Sequence, residues 1–153
     1  MEYGIQNEMR ERRCCFVGYT PEKLNRPSVL LKTKLREAVR HEIMEGHTTF
    51  VCGLEQGVEM WAAKIVLEER EKDSRIKLIC LAAAEDCRTS GMYYDRQILM
   101  QEADCVRRLP AGSRKRWMID RCGNLIAVYN GSRDGTKQAI DYAIRSRLNV
   151  NII

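Results

Sequence analysis

The sequence predicts a single α/β domain in three layers, a mostly parallel sheet with helices on both faces. Three observations predict it. Short apolar runs alternate with segments of helical period along the whole chain, and several of those runs end directly in glycine. The 153 residues, 44% hydrophobic and 31% charged, suit one core and are too few for two ordinary domains. Such alternation implies βαβ units with right-handed crossovers. Open parallel sheets bind ligands beyond the carboxyl ends of their strands, so the loops after the strands are where function is expected.

Residues 1–12 are polar, carry acids and lack the apolar stretch of a signal peptide; they read as a poorly ordered lead-in to a domain over 13–153. Cys14 to Val17 is the first strand and ends at Gly18. A helix opens at Pro27-Ser28 and runs to about Glu45, with Val29, Leu30, Leu35, Val39 and Ile43 at helical spacing, Ser28 as N-cap and Gly46 as stop. Thr48 to Cys52, β-branched and aromatic, is the second strand. The helix from Gly57 to Lys72 turns Val58, Trp61, Ala62, Ile65 and Val66 inward. Ile76 to Ala82 is a buried third strand, followed by a helix over Tyr93 to Glu102 and a short strand over Cys105 to Leu109. Arg114 to Cys122 reads as a helix, and Leu125 to Tyr129 is the most strand-like run of all. After the loop Asn130 to Gly135, a helix from Thr136 to about Arg147 leads into a closing strand, Val150 to Ile153. There is no internal repeat or low-complexity linker.

No stretch approaches the roughly 18–20 apolar residues of a membrane span, so a cytoplasmic protein without a membrane partner is expected. The seven cysteines are odd in number and form no C-x-x-C pair. Cys14, Cys15, Cys52, Cys80 and Cys105 lie in or beside apolar runs and read as buried, reduced thiols. His41 and His47 are not spaced with cysteines as a zinc site requires; they fall at the end of the first helix and in the next turn, where solvated side chains are expected. A formal charge of +5 favours anionic partners. Arg107, Arg108, Arg114, Lys115, Arg116, Arg121 and Arg133 concentrate that charge in the last third.

Three loops carry the functional expectation. Gly18-Tyr19-Thr20-Pro21 follows the first strand, where a glycine permits a sharp turn or a close approach. Gly53-Leu54-Glu55-Gln56-Gly57 joins the second strand to its helix, and its two glycines suit either a tight turn or the presentation of backbone N–H groups to an anion. It matches neither GxGxxG nor a P-loop. Asn130-Gly131-Ser132-Arg133-Asp134-Gly135-Thr136 precedes the last helix. There a hydroxyl and helix-start amides bind phosphate together, or Ser132 and Asp134 cap the helix instead.

The same segments resemble a known family. CCFVGYTPEKL (Cys14 to Leu24) resembles the CCFTGHRPEKL signature of the YpsA-like proteins, a domain-of-unknown-function family within the SLOG superfamily. CGLEQGVEMWAA (Cys52 to Ala63) resembles SGMALGVDxWAA, and RKRWMIDRCGNLIAVYNGSRDGT (Arg114 to Thr136) resembles RNRYMVDRSDLLIAVWDGSPGGT. The similarity runs in order from Cys14 to the C-terminus. It implies a Rossmann-like fold related to DprA and the LOG enzymes, and a nucleotide or nucleotide-derived ligand. The sequence departs from the family at Tyr19-Thr20 (for His-Arg), Glu55 (for Ala), Glu59 (for Asp) and Asp134 (for Gly).

The LOG-type pattern PGGxGTxxE places its glutamate at Ala139 here, which removes the expected acid/base group. The function expected is therefore a binding module for an ADP-ribose-like ligand, acting as sensor or sequestering protein. No other cofactor is implied. Backbone amides at Gly53, Gly57, Gly131 and Gly135 would hold phosphate, Thr136 would donate its hydroxyl, and Glu59 would take a ribose hydroxyl. Two alternatives stand beside it. One is single-stranded nucleic-acid binding of DprA type, through Arg114, Lys115 and Arg116. The other is N-glycosidic hydrolysis or transfer, with Glu59 as acid/base, Arg116 on phosphate and Asp120 orienting Arg116. The resemblance also implies a homo-oligomer, with Trp61 or Trp117 available for contact.

Overall fold

The computed structural model describes residues 9–83, 91–110 and 112–153, the side chains of 91–94 excepted. Six strands form one sheet: β1 (Arg13–Val17), β2 (Thr49–Cys52), β3 (Lys77–Ala83), β4 (Cys105–Leu109), β5 (Asn124–Ala127) and β6 (Asn149–Ile152). Their order is β4-β3-β2-β1-β5-β6, and every neighbouring pair is parallel, so the sheet is wholly rather than mostly parallel. Between them lie α1 (Ser28–Met44), α2 (Val58–Lys72), α3 (Gly91–Glu102), α4 (Arg114–Arg121) and α5 (Gly135–Arg145).

Strand periodicity divides the core in two. Cys14 and Phe16 of β1 face α1 and α2, and Phe16 stacks on Phe50 with ring centroids 6.0 Å apart. Cys15 and Val17 face the other way, against Met118 and Ile119 of α4 and Ala139, Ile140 and Ala143 of α5. All four residues of β5 are buried, as its strand-like composition predicts.

Several local expectations are corrected. Val29 and Leu30 are 76% and 48% exposed, and the inner face of α1 is Leu31, Leu35, Ala38, Val39 and Glu42. Two phases of the 3.6-residue period share Leu35 and Val39, and the packing of Leu31 decides between them. Ser28 is the first helical residue rather than the cap; Pro27 precedes it and no side chain caps the helix. Gly46, at φ +93°, does end it. His47 is not solvated: it is half-buried with Nδ1 hydrogen-bonded to the buried Glu42 carboxylate, whereas His41 is exposed near Glu45.

The end of the lead-in is ordered. Arg10 donates to the carbonyls of Cys122 and Ser146 at 3.1 and 3.2 Å, and Asn124 Nδ2 donates to the Glu11 carbonyl at 2.8 Å. Cys14, Cys15, Cys52, Cys80 and Cys122 are buried free thiols, but Cys105, on the edge strand β4, is exposed. Trp61 and Trp117 are each partly covered by a cation, Lys32 and Arg121 respectively. Among the described residues no helix is long and apolar enough to cross a membrane.

Candidate functional site

The strand order runs outward from β1 through β2 and β3 to β4, then restarts on the opposite side of β1 with β5 and β6. The chain leaves β1 and β5 in opposite directions, which opens a crevice at their carboxyl ends. The loops after β1 and β5 flank this switch point, and the loop after β2 lies beside it. The three glycine loops singled out in the sequence thus share one edge of the sheet.

The first two loops lock together. A Cβ on Gly18 would sit 2.4 Å from Val58 Cβ, so only glycine lets β1 end against the start of α2. Gly57 caps α2 at φ +97°, and a Cβ there would meet the Tyr19 carbonyl oxygen at 2.3 Å. The Val58 amide donates to that same carbonyl at 3.2 Å. These glycines serve close packing of one loop on the next. Thr20 lies in the contact, and its Oγ1 is buried without a hydrogen-bond partner. Leu54 takes a left-handed φ of +62°, held by its buried side chain and by Arg96 Nε on its carbonyl at 3.0 Å.

The third loop supplies its own anion. Asp134 caps α5, with Oδ1 accepting from the amides of Thr136 at 3.0 Å and Lys137 at 3.4 Å, and from the Tyr19 hydroxyl at 3.2 Å. The Thr136 hydroxyl donates to the Gly18 carbonyl at 3.3 Å. The Thr136 and Lys137 amides and the Thr136 hydroxyl are therefore engaged within the protein, with Asp134 as the cap of α5. Ser132 donates its amide to Asn130 Oδ1 at 2.8 Å, and Gly131, at φ +93° with open space around it, serves the turn.

A charged cluster lies beside these loops. Glu59, in the first turn of α2, is 3% exposed, and its Oε1 occupies the space a Gly53 Cβ would take. Burial, then the Glu55 charge and a hydrogen bond to Glu55, push its pKa up to about 8 against the weaker pull of Lys115 and Arg114. Lys115 Nζ lies 4.0 Å from Glu55 and 3.5 Å from where a Gly135 Cβ would stand, bridging the second and third loops. Arg114 Nη1 donates to the Gly53 carbonyl at 2.6 Å.

Arg116 and Asp120 do not join this cluster. Arg116 lies over the Tyr142 ring at 4.9 Å, and Asp120 accepts from the Tyr142 hydroxyl; both side chains serve the α4–α5 contact. Arg114, Lys115 and Arg116 share the first turn of α4, but Arg116 turns to Tyr142 of α5 whereas Arg114 and Lys115 reach the second loop. Helices in a parallel sheet run antiparallel to the strands, so only first-turn residues lie at the carboxyl edge. That signal, available in the sequence, sets Asp120 aside but not Arg116. Ala139, at the LOG glutamate position, is buried in the core. Tyr93 and Tyr94 are aromatics suited to stacking on a base, but their side chains lie outside the described ones. Comparison with protein-family models and with curated proteins gives no match for this chain.

Proposed function

We propose that the carboxyl edge of the sheet is a binding site for a nucleotide-derived ligand, ADP-ribose-like in character, and that the protein acts as a sensor or sequestering module. The observation that carries this reading is the cluster of Lys115, Glu55 and the buried Glu59 at a topological switch point. A cation and a proton-bearing carboxyl beside a crevice suit a ligand with both phosphate and ribose hydroxyls. The likeness of these loops to those of YpsA-like SLOG proteins supports the same location. Lys115 takes the phosphate, because Asp134 already holds the amides of α5. Protonated Glu59 donates to a ribose oxygen, and the unpartnered Thr20 hydroxyl is a further donor after a small shift of the first loop.

Thermal-shift screening of ADP-ribose, NAD and mononucleotides tests the proposal. A ligand present at about 100 times its Kd stabilises by about 2.7 kcal/mol, a rise of several degrees for a chain of this size. Lys115→Ala should abolish the rise without lowering the melting point of the free protein. No shift with any nucleotide, together with no nucleotide co-purifying by mass spectrometry, would reject it.

A second reading is favoured by the proton on Glu59: hydrolysis or transfer at an N-glycosidic bond, with Glu59 as general acid. Release of free base from a nucleotide, lost in Glu59→Gln while binding persists, distinguishes this enzyme from a passive binder.

A further inference from the structure

The connection from β4 to β5 crosses β3, β2 and β1, four strand spacings or about 19 Å. The helix in that connection, α4, has only eight residues and is about 12 Å long. It packs over β1 and β3, and among the described residues nothing covers the rest of that sheet face, while α1, α2 and α3 serve the other face. The uncovered strip is a groove of about 850 Å³. Its floor is a single row in register, Val51 of β2, Ile79 of β3 and Cys105 of β4.

The rim of this strip is basic. Arg13 and Arg107 stand at its two sides, on β1 and β4, and Arg10 and Arg121 close it toward the amino ends of the strands. Among the described residues one acid faces them, Asp120, and its Oδ1 already accepts from Tyr142. On the wall formed by α4, Arg121 Cζ lies over the Trp117 ring, 4.2 Å from its centroid. Arg10 is held by the Cys122 and Ser146 carbonyls, and Arg13 spends one Nη on the Arg121 carbonyl at 3.0 Å, so the groove offers the guanidinium groups of Arg13, Arg107 and Arg121 with an apolar floor and an aromatic–cation pair.

We infer that this strip binds single-stranded nucleic acid, with Arg13, Arg107 and Arg121 on phosphates and bases against the Trp117–Arg121 wall and the Ile79–Cys105 part of the floor. Guanidinium groups match phosphate oxygens in a bidentate fork. Base stacking on an aromatic platform gives sequence-tolerant affinity. A second copy of this chain placed on the strip by twofold symmetry would set arginines against arginines. A duplex shields its base faces and offers the recessed apolar floor nothing to hold. The strip is separate from the carboxyl-edge cluster, and its occupancy does not depend on the ligand proposed there.

The test uses the full chain and a fluorescently labelled oligothymidylate, followed by anisotropy over a range of salt. Affinity should fall steeply with salt, and the logarithmic slope should decrease by about 1.4 when Arg13 and Arg107 are both reversed to Glu, about 0.7 for each lost phosphate contact. That double variant should bind at least about tenfold more weakly. Lys34→Glu with Lys64→Glu, an equal charge change on the opposite face, should retain most of the affinity. If the first pair fails to fold by circular dichroism, Arg107→Ala on the exposed edge strand replaces it. In a Trp61→Phe background the oligonucleotide should change Trp117 emission, and inorganic polyphosphate should not. Absent or salt-independent binding, equal losses in the two double variants, unchanged Trp117 emission, or polyglutamate binding as tightly as the oligonucleotide would each overturn the inference.

Discussion

Glu59 sits at the first turn of α2 with almost no access to water, and its carboxyl keeps a proton up to about pH 8. Unfolded, the same group titrates near 4.5, so between these values the native state holds one more proton than the unfolded chain. The stability this group provides is complete below 4.5 and is lost as pH rises through 8. Glu59→Gln keeps the shape and a hydrogen-bond donor but cannot ionise. Urea melts should show wild type losing stability against the Gln variant between about pH 4.5 and about pH 8, on the order of a few kcal/mol. Glycines give a second residue-scale prediction. Gly57→Ala meets a backbone oxygen and an unfavourable φ together and should cost more than about 3 kcal/mol. Gly131→Ala has an equally positive φ but open space around it and should cost only about 1 kcal/mol by the same melts. The sequence shows that these positions are glycines after strands; which one packs against what depends on the neighbouring loop and is not legible in one segment. The buried carboxyls of Glu42, Glu59 and Glu69 were equally hidden, because a glutamate in an amphipathic helix ordinarily reads as solvated.

Among elements, α5 and β4 make opposite cases. The α5 helix opens with Asp134 on two amides and on the Tyr19 hydroxyl, so its cap also ties the third loop to the first. Asp134→Ala should cost about 1–2 kcal/mol in urea denaturation, and Asp134→Asn, which keeps the capping oxygen, should cost less. The edge strand β4 is held at its entrance by Asp104, whose Oδ2 accepts from the Leu78 amide and from Arg70 Nη1, both at 2.8 Å. Asp104→Ala should raise amide hydrogen exchange in β3 and β4, read by mass spectrometry, and leave β5 and α5 unchanged. The existence and order of the strands and long helices were legible from periodicity alone. Helical phase was not: α1 accommodates two inner faces, and α4 offers Arg114, Lys115, Arg116 and Asp120 at consecutive angles around one short helix. Only the sheet beneath them decides which of these reach the carboxyl edge and which reach Tyr142.

At the scale of the molecule, the two core layers bury five thiols among the described residues while Cys105 stays in solvent at the sheet edge. Burial pushes the thiols of Cys14 and Cys52 well up, and that of Cys80 to about 12, so none of these ionises near neutrality. Alkylation of the native protein, mapped by mass spectrometry, should label Cys105 and spare Cys14, Cys15, Cys52, Cys80 and Cys122 until the chain unfolds. The three-layer parallel architecture was legible from alternation. The unequal cover of the two faces was not, because it depends on how many strands one short helix must cross. The same strand order bears on how the chain assembles. Residue 14 pairs on one side with residue 50 and on the other with residue 124, and the Ile153 amide closes on Ala127. A nascent chain can dock β2, β3 and β4 beside β1 as each emerges from the ribosome, but the far flank of β1 stays open until β5 is made. During that interval Cys14 to Val17 presents an unpaired apolar edge. Closing that flank brings together residues more than a hundred positions apart, the kind of long-range contact that slows folding.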